Sequence, residues 1–465
     1  MLTYPLTKTG GVSLYEQLYR RIKDDILTGR LAAAEKLPSK RALAAHLEVS
    51  VITVKNAYEQ LMAEGYIYGM EKRGYYVSPV QRPLAAQRAA SPAAAPAPQS
   101  WEMDLVTNSI AAEDFPFTVW ARLMRGVLLD RRGDLLQSVP DAGLWALREA
   151  VAGELYRQRG VRVSPEQVYI GAGAEYFYNL LIQFLGREKI FALEEPGHRK
   201  IARVYQANGV QMRLIRMDGD GVLPALVAQS GADVLHISPS HHYPTGTVMP
   251  ITRRQALMRW LTEGPERYLI EDDYDSEFRF TGLPIPTMQS MDQSGRVIYM
   301  NTFSRTIAPA LRISYMILPK ALLARWRETM GFYSCTVPSF EQMTLTRFLA
   351  EGYFEKHLNR MKKHYRAVRG ALLDALAQPP CAGCFRVHDA GAGLHFVLEA
   401  PGAPEPERLR ALLRQTGLHA ALLADFYAGA PEPEAARCIV LDYADAEPEA
   451  LQGALRRLAA EITGR

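Results

Sequence analysis

KLPSKRALAAHLEVSVITVKNAYEQLMAEGYI, residues 36–67, followed by KRGYYV, residues 72–77, decides how the first part of the chain folds. Pro38-Ser39 opens a helix, because serine is a good N-cap, and Leu43 and Leu47 then point inward. Glu48-Val49-Ser50 makes a short turn. The next helix carries Val54, Ala57, Tyr58 and Leu61 on its buried side, with Gly65 just past its end. Tyr66-Ile67-Tyr68, a turn from Gly69 to Gly74, and Tyr75-Tyr76-Val77 read as a two-stranded hairpin whose tip holds Lys72 and Arg73. Upstream, Leu14, Leu18, Ile22 and Ile26 recur every four residues, which predicts an amphipathic helix ending at Gly29.

Helix, turn, helix and basic hairpin together make a DNA reader, in which a helix enters the major groove and the hairpin touches phosphate. Residues 1–80 hold eleven Lys and Arg against eight Asp and Glu, so most of the chain's net +4 sits there. A small basic module suits a polyanion. Periodicity alone also fits any small three-helix unit, with Lys40, Arg41 and Lys55 as a solvated face. The full string resembles the winged helix-turn-helix of GntR-type bacterial regulators over most of residues 12–78. The resemblance implies a double-stranded DNA operator as partner. Arg41, Ser50, Thr53, Lys55 and the wing residues Lys72, Arg73 and Gly74 would lie against it, with Lys40 on the same surface. Lys40 stands where relatives commonly have a small polar residue, and Val51 where many have arginine, so base preference is expected to differ.

Residues 79–100, PVQRPLAAQRAASPAAAPAPQS, are dominated by alanine and proline and lack any aromatic residue. Such a stretch cannot bury a core and predicts a semi-extended linker. It divides a DNA-binding domain over residues 10–78 from a larger domain over residues 101–465. The 465 residues are 48% hydrophobic and 22% charged, an ordinary globular balance that excludes global disorder. No apolar run reaches the roughly 18 residues of a membrane span, and Met1 to Gly10 lacks the apolar segment of a secretory signal. Four cysteines, Cys335, Cys381, Cys384 and Cys438, are sparse for this length and suit a reducing cytoplasm. Cys381-x-x-Cys384 has no second pair and no histidine at zinc spacing, so no metal is expected.

From Asp104 onward, short β-rich runs alternate with amphipathic segments. The runs are 168–170, 190–193, 234–237, 268–270 and 297–300; the helical segments include 175–185 and 252–261. That alternation predicts an α/β domain with a mainly parallel sheet, whose ligands sit beyond the carboxyl ends of the strands. The segments following those strands are Gly171-Ala172-Gly173-Ala174, Glu194-Glu195-Pro196-Gly197-His198, SPSHHYPTG (238–246), EDDYDSEFR (271–279) and NTFSRTIAPALRISYM (301–316). Small residues opening a helix expose N–H groups to an anion, although a plain tight turn reads the same way. Asp272 could be an acidic loop cap and Arg312 a structural ion pair.

Taken in order, these segments resemble the fold type I pyridoxal-phosphate enzymes, and in particular the C-terminal domain of MocR-type regulators, over most of residues 104–460. The resemblance implies roles by position. Asp272 would pair with the pyridine nitrogen, and Tyr274 would donate to the ring hydroxyl oxygen. Ser304, Arg312 and the Gly173–Ala174 backbone would hold the phosphate. His198 falls where relatives usually stack an aromatic on the ring.

One position departs decisively. Relatives read T-F-S-K, and that lysine forms the Schiff base with the cofactor aldehyde; here the string is Thr302-Phe303-Ser304-Arg305. An amine must lose its proton to attack a carbonyl, and a guanidinium stays charged. Arg305 therefore leaves three readings: a vitamin B6 form or amine adduct held without a covalent lysine link, a different anionic ligand gripped by Arg305, or a scaffold with no ligand. Lys200 and Arg437 are the candidates for grasping an acidic effector, with Val440 as the other residue that could stand at the Arg437 position. Fold type I relatives imply a homodimer. The expected function is a transcription factor whose larger domain senses a small amine, amino acid or B6 ligand without turnover. The competing expectation is a working aminotransferase with an appended DNA module.

Overall fold

The computed structural model describes residues 2–7, 12–80, 101–106, 109–282, 285–388 and 391–464. The chain divides into two compact units, Met1–Gln99 and Ser100–Arg465. Of the expected linker over 79–100, only residues 79 and 80 lie within the described residues.

The first unit contains helices α1 (Leu14–Thr28), α2 (Lys40–His46) and α3 (Val51–Ala63) and hairpin strands β1 (Ile67–Met70) and β2 (Gly74–Val77). Each boundary has a local cause. Gly29 ends α1 at φ 80°, a conformation that costs a residue without Cβ little. Ser39 Oγ accepts from Ala42 N–H at 3.2 Å, and Ser50 Oγ accepts from Thr53 N–H at 3.0 Å. Leu18, Ile22, Leu43, Val54, Ala57, Tyr58 and Leu61 are fully or almost fully buried together. The hairpin strand runs on to Met70, so the tip is shorter than the sequence suggests, with Lys72 in the left-handed region at φ 58°. Residues 34–37 also pair with β2, through Leu37 N–H to Tyr75 O and Val77 N–H to Glu35 O.

The second unit is built on an eight-stranded sheet. Its strands are β3 (Val168–Gly171), β4 (Ile190–Glu195), β5 (Gln211–Asp218), β6 (Gly221–Val222), β7 (Val234–Ile237), β8 (Tyr268–Asp272), β9 (Val297–Thr302) and β10 (Ser314–Ile317). Their spatial order is β3-β10-β9-β8-β7-β4-β5-β6. From β9 through β5 all neighbours are parallel; β10 runs antiparallel to both β9 and β3, and β6 antiparallel to β5. Both faces are covered, which is why β3, β7 and β8 are buried at every residue. A smaller four-stranded antiparallel sheet follows, made of β11 (Arg386–His388), β12 (His395–Glu399), β13 (Ala421–Leu422) and β14 (Cys438–Asp442). Helices α4 (Ala174–Leu185) and α5 (Arg199–Ala207) come directly after β3 and β4.

Candidate functional site

On the first unit, α3 presents Val51, Ile52, Lys55 and Asn56 to solvent, with Arg41 exposed on α2 and Lys72 and Arg73 exposed at the wing. Thr53 and Gly74 are half-buried. Ser50 is spent on the helix cap, its Oγ also lying 2.8 Å from Thr53 Oγ1. Lys55 leans toward Glu59 at 3.7 Å. Lys40 is half-buried, with its Nζ 5.0 Å from the centre of the Tyr75 ring, so cation–π packing holds it against the wing.

The second unit carries a cavity of about 580 Å3. It is lined by Glu194 and Glu195 from the end of β4, His236 from β7, Asp272 from the end of β8 and Thr302 from the end of β9. That is where a parallel sheet places its ligands, because loops fan out from the strand ends. Eight of the ten expected ligand-binding residues line it: Ala174, His198, Lys200, Asp272, Tyr274, Ser304, Arg305 and Arg312.

Asp272 is buried at the base of the cavity. Tyr178 Oη, from α4, donates to its Oδ2 at 2.5 Å, and His236 Nε2 lies 3.6 Å from the same oxygen. His236 Nδ1 is in turn 2.8 Å from Tyr205 Oη on α5. The carboxylate thus sits in a network that fixes its direction, a set of partners that motif reading missed because they come from two helices and a strand. Tyr274 Oη is 3.2 Å from His241 Nδ1, which is itself 2.9 Å from Asp275 Oδ2. A carboxylate only accepts, so Nδ1 carries the proton and gives it to Asp275. The Tyr274 hydroxyl proton is then left for an acceptor in the cavity.

At the opposite end, Gly173 opens α4 at φ 92°, and a Cβ there would collide with the Arg312 guanidinium. Arg312 Nη2 donates to Glu175 Oε2 at 2.5 Å, and Lys200 pairs with the other oxygen of the same carboxylate. Burial alone would raise the Glu175 carboxyl, but Lys200 and Arg312 hold it below its usual range. Ser304 Oγ accepts from Thr302 Oγ1 at 2.9 Å. His198 caps α5 through Nδ1, which accepts from Lys200 N–H at 3.2 Å, and its ring lies 5.4 Å from that of Tyr243. Burial lowers its pKa, which favours the neutral ring. Glu194 is pushed up to about 8, chiefly by burial, and His242, 3.4 Å from it, is pulled down to about 3 by the same cause.

Arg305 is 9% exposed, and its Nη2 donates to Asp442 Oδ2 at 2.6 Å. Its Nη1 is buried without a hydrogen-bond partner. Asp442, at the end of β14, was absent from the residues expected to matter. Arg437 does not join the cavity: it is exposed at the other end of β14, about 16 Å of extended chain from Asp442. Val440 is buried within the small sheet, opposite Val397 and Ala421. Cys381 and Cys384 are buried free thiols. Although no metal is expected, His241, Asp275 and His395 form one buried group whose potential ligand atoms lie within 4.8 Å of one another.

Residues 14–77 match the family model of bacterial regulatory proteins of the gntR family. The helix-turn-helix transcriptional regulator YdeL of Bacillus subtilis is 37% identical over 85% of each chain. The probable rhizopine catabolism regulatory protein MocR of Rhizobium meliloti is 30% identical over 97% of this chain and 94% of its own. The chain belongs to the MocR-type branch of the GntR family. Among solved structures, kynurenine aminotransferase of Pyrococcus horikoshii matches with a TM-score of 0.68 at 22% identity, over 78% of this chain and 90% of that one. LysN, an α-aminoadipate aminotransferase of Thermus thermophilus complexed with N-(5'-phosphopyridoxyl)-L-leucine, gives 0.67 at 24% identity, over 78% of this chain and 92% of its own. This MocR-type regulator therefore joins a GntR helix-turn-helix to an aminotransferase-like unit of fold type I. Among its described residues, no helix is long and apolar enough to cross a membrane.

Proposed function

We propose that the chain is a DNA-binding transcription factor whose larger unit senses a small amine, amino acid or vitamin B6 form without turning it over. The observation that carries the reading is Arg305 locked to Asp442 inside a cavity otherwise furnished for a phosphorylated pyridine. The residues fit such a group at three points. Asp272 offers a fixed carboxylate to a cationic ring nitrogen, Tyr274 a free proton to a ring oxygen, and Arg312 beside the Cβ-free Gly173 a cradle for phosphate. Pyridoxal phosphate, when bound, would supply an aldehyde reactive toward primary amines. Arg305 cannot supply that amine or move a proton, because its pairing with Asp442 keeps it charged. Lys200, the one lysine lining the cavity among the described residues, is engaged by Glu175. The buried free Nη1 of Arg305 favours a ligand that carries a carboxylate.

The relative PdxR of Corynebacterium glutamicum, 28% identical over 90% of this chain, is named a pyridoxine biosynthesis regulator, which supports a B6-type effector here. We infer a homodimer, since Leu129, Leu136, Trp145 and Phe332 are more than half exposed on the larger unit and a monomer would leave them in water. A domain over 10–78, a linker over 79–100 and a sensing domain over 101–465 suit this reading. Lys40, Arg41, Ser50, Thr53, Lys55, Lys72, Arg73 and Gly74 would form its DNA surface, in a cytoplasmic setting.

The test is an absorbance titration of the full chain with pyridoxal phosphate before and after borohydride, beside footprinting on DNA upstream of its own gene. A bound chromophore that borohydride does not fix to the protein, together with a footprint, is the expected result. A covalently fixed chromophore, or turnover of an amino donor with a keto acid, would establish the aminotransferase reading instead.

A further inference from the structure

The first turn of α3 is dressed in a way that cations and caps do not explain. Its two hydroxyls are consumed locally: Ser50 Oγ takes the Thr53 N–H at 3.0 Å and lies 2.8 Å from Thr53 Oγ1. Val51 and Ile52 point outward, 46% and 68% exposed, and Ile52 is the most exposed large apolar side chain among the described residues of the first unit. A single exposed apolar residue is ordinary. Two adjacent ones, at the N-terminal turn of the helix that enters the groove, are placed where base edges are read. On the helix surface Val51 shares a face with Lys55 and Ile52 with Asn56, four residues on. The cations Arg41, Lys72 and Arg73 on neighbouring elements are exposed and suited to phosphate.

Positions 51 and 52 offer no donor or acceptor beyond the backbone. The one apolar group that the major groove presents is the C5-methyl of thymine. A guanine in the same place would leave its two acceptors desolvated against hydrocarbon and unpaired.

We propose that Val51 and Ile52 read thymine C5-methyl groups, so that each operator half-site carries thymine beneath the first turn of α3. The inference rests on the DNA-binding reading above and adds the chemistry by which the helix chooses its bases.

The experiment separates the two. Duplexes are selected from a random library with the full chain, and each thymine of the selected site is then replaced singly by deoxyuridine, which lacks only the methyl. Wild-type affinity is expected to fall roughly threefold to tenfold at the thymines under α3 and to stay level elsewhere, the loss of one buried methyl. Ile52→Ala and Val51→Ala should bind the selected site more weakly and no longer distinguish thymine from deoxyuridine there. Melting temperatures equal to wild type show that the variants fold. Equal wild-type affinity for thymine and deoxyuridine at every position overturns the inference while leaving DNA binding intact. So does discrimination that survives in both variants. Failure to select any sequence over random DNA overturns the DNA-binding reading itself, and this inference with it.

Discussion

Arg305 and Asp442 show how a buried cation needs a second residue to live with it. A buried guanidinium is tolerable only beside a counter-charge, and the 2.6 Å contact supplies one. Asp442→Asn should destabilise the larger unit by about 3–5 kcal/mol, because it leaves a charge buried and unpaired. Urea denaturation of the full chain measures this, and a loss below about 1 kcal/mol would mean that the pair is solvated. Glu175 is the second residue to watch. It already holds both Arg312 and Lys200, so an incoming phosphate must share those cations with a like charge. Glu175→Gln should tighten binding of pyridoxal phosphate by roughly tenfold, since the repulsion disappears while both cations stay. Isothermal titration reads this directly, and weaker binding would place Glu175 among the groups that hold the ligand.

At the scale of elements, helix ends were legible because their signals are local. Ser39 and Gly29 each start or stop a helix with groups no more than four residues away, and Ser50, read only as the end of a turn and a DNA contact, starts α3 in the same way. Ser50→Ala should therefore lower the stability of the first unit by about 1 kcal/mol. Its thermal unfolding transition measures the loss, and an unchanged midpoint would mean that packing alone sets where α3 begins. Strand ends were less legible. β8 and β9 run two residues past the apolar stretches that announce them, into Glu271-Asp272 and Asn301-Thr302. Acids and amides read as loop, yet here they are buried and hydrogen-bonded: Glu271 accepts from Met288 and Gln289 N–H at 3.0 and 2.9 Å. Strands β5 and β10 were not anticipated at all. β5 is polar and largely exposed, and β10 hides within a segment read only for its arginine and serine.

For the whole molecule, burial of titratable groups sets the response to pH. His242 and His357 are pulled down to about 3 and about 4, mainly by burial. In the unfolded chain each would titrate near 6.5. Their folded pKa values are depressed, so the stability they contribute is present above about 6.5 and lost as pH falls toward 4 and then 3. Glu194 works in the opposite sense: raised to about 8, it contributes stability at low pH that is lost as pH rises from the usual carboxyl range through 8. Relative to wild type, the melting temperature of His357→Asn should rise as pH falls from about 6.5 to 4, because asparagine takes up no proton on unfolding. Parallel curves for variant and wild type would show that His357 is not the group responsible.

The chain's own letters determined whatever depends on near neighbours. These were the N-cap of α2, the glycine ends of α1 and α3, the inward face of α3, the alternation of strand and helix, and the order of the segments that follow the strands. They also marked Arg305 as a guanidinium where an amine was expected, because side-chain identity needs no fold to be read. Only tertiary structure could decide what that guanidinium touches. Asp442 lies 137 residues away on another sheet, and Tyr178 and His236 reach Asp272 from separate elements. It also removed Arg437 from the cavity and turned Lys40 onto Tyr75, since whether a charged side chain faces a ligand, water or a ring depends on which strand end or hairpin packs beside it. Periodicity along a chain reports which face is buried; it carries no information about which distant residue meets that face.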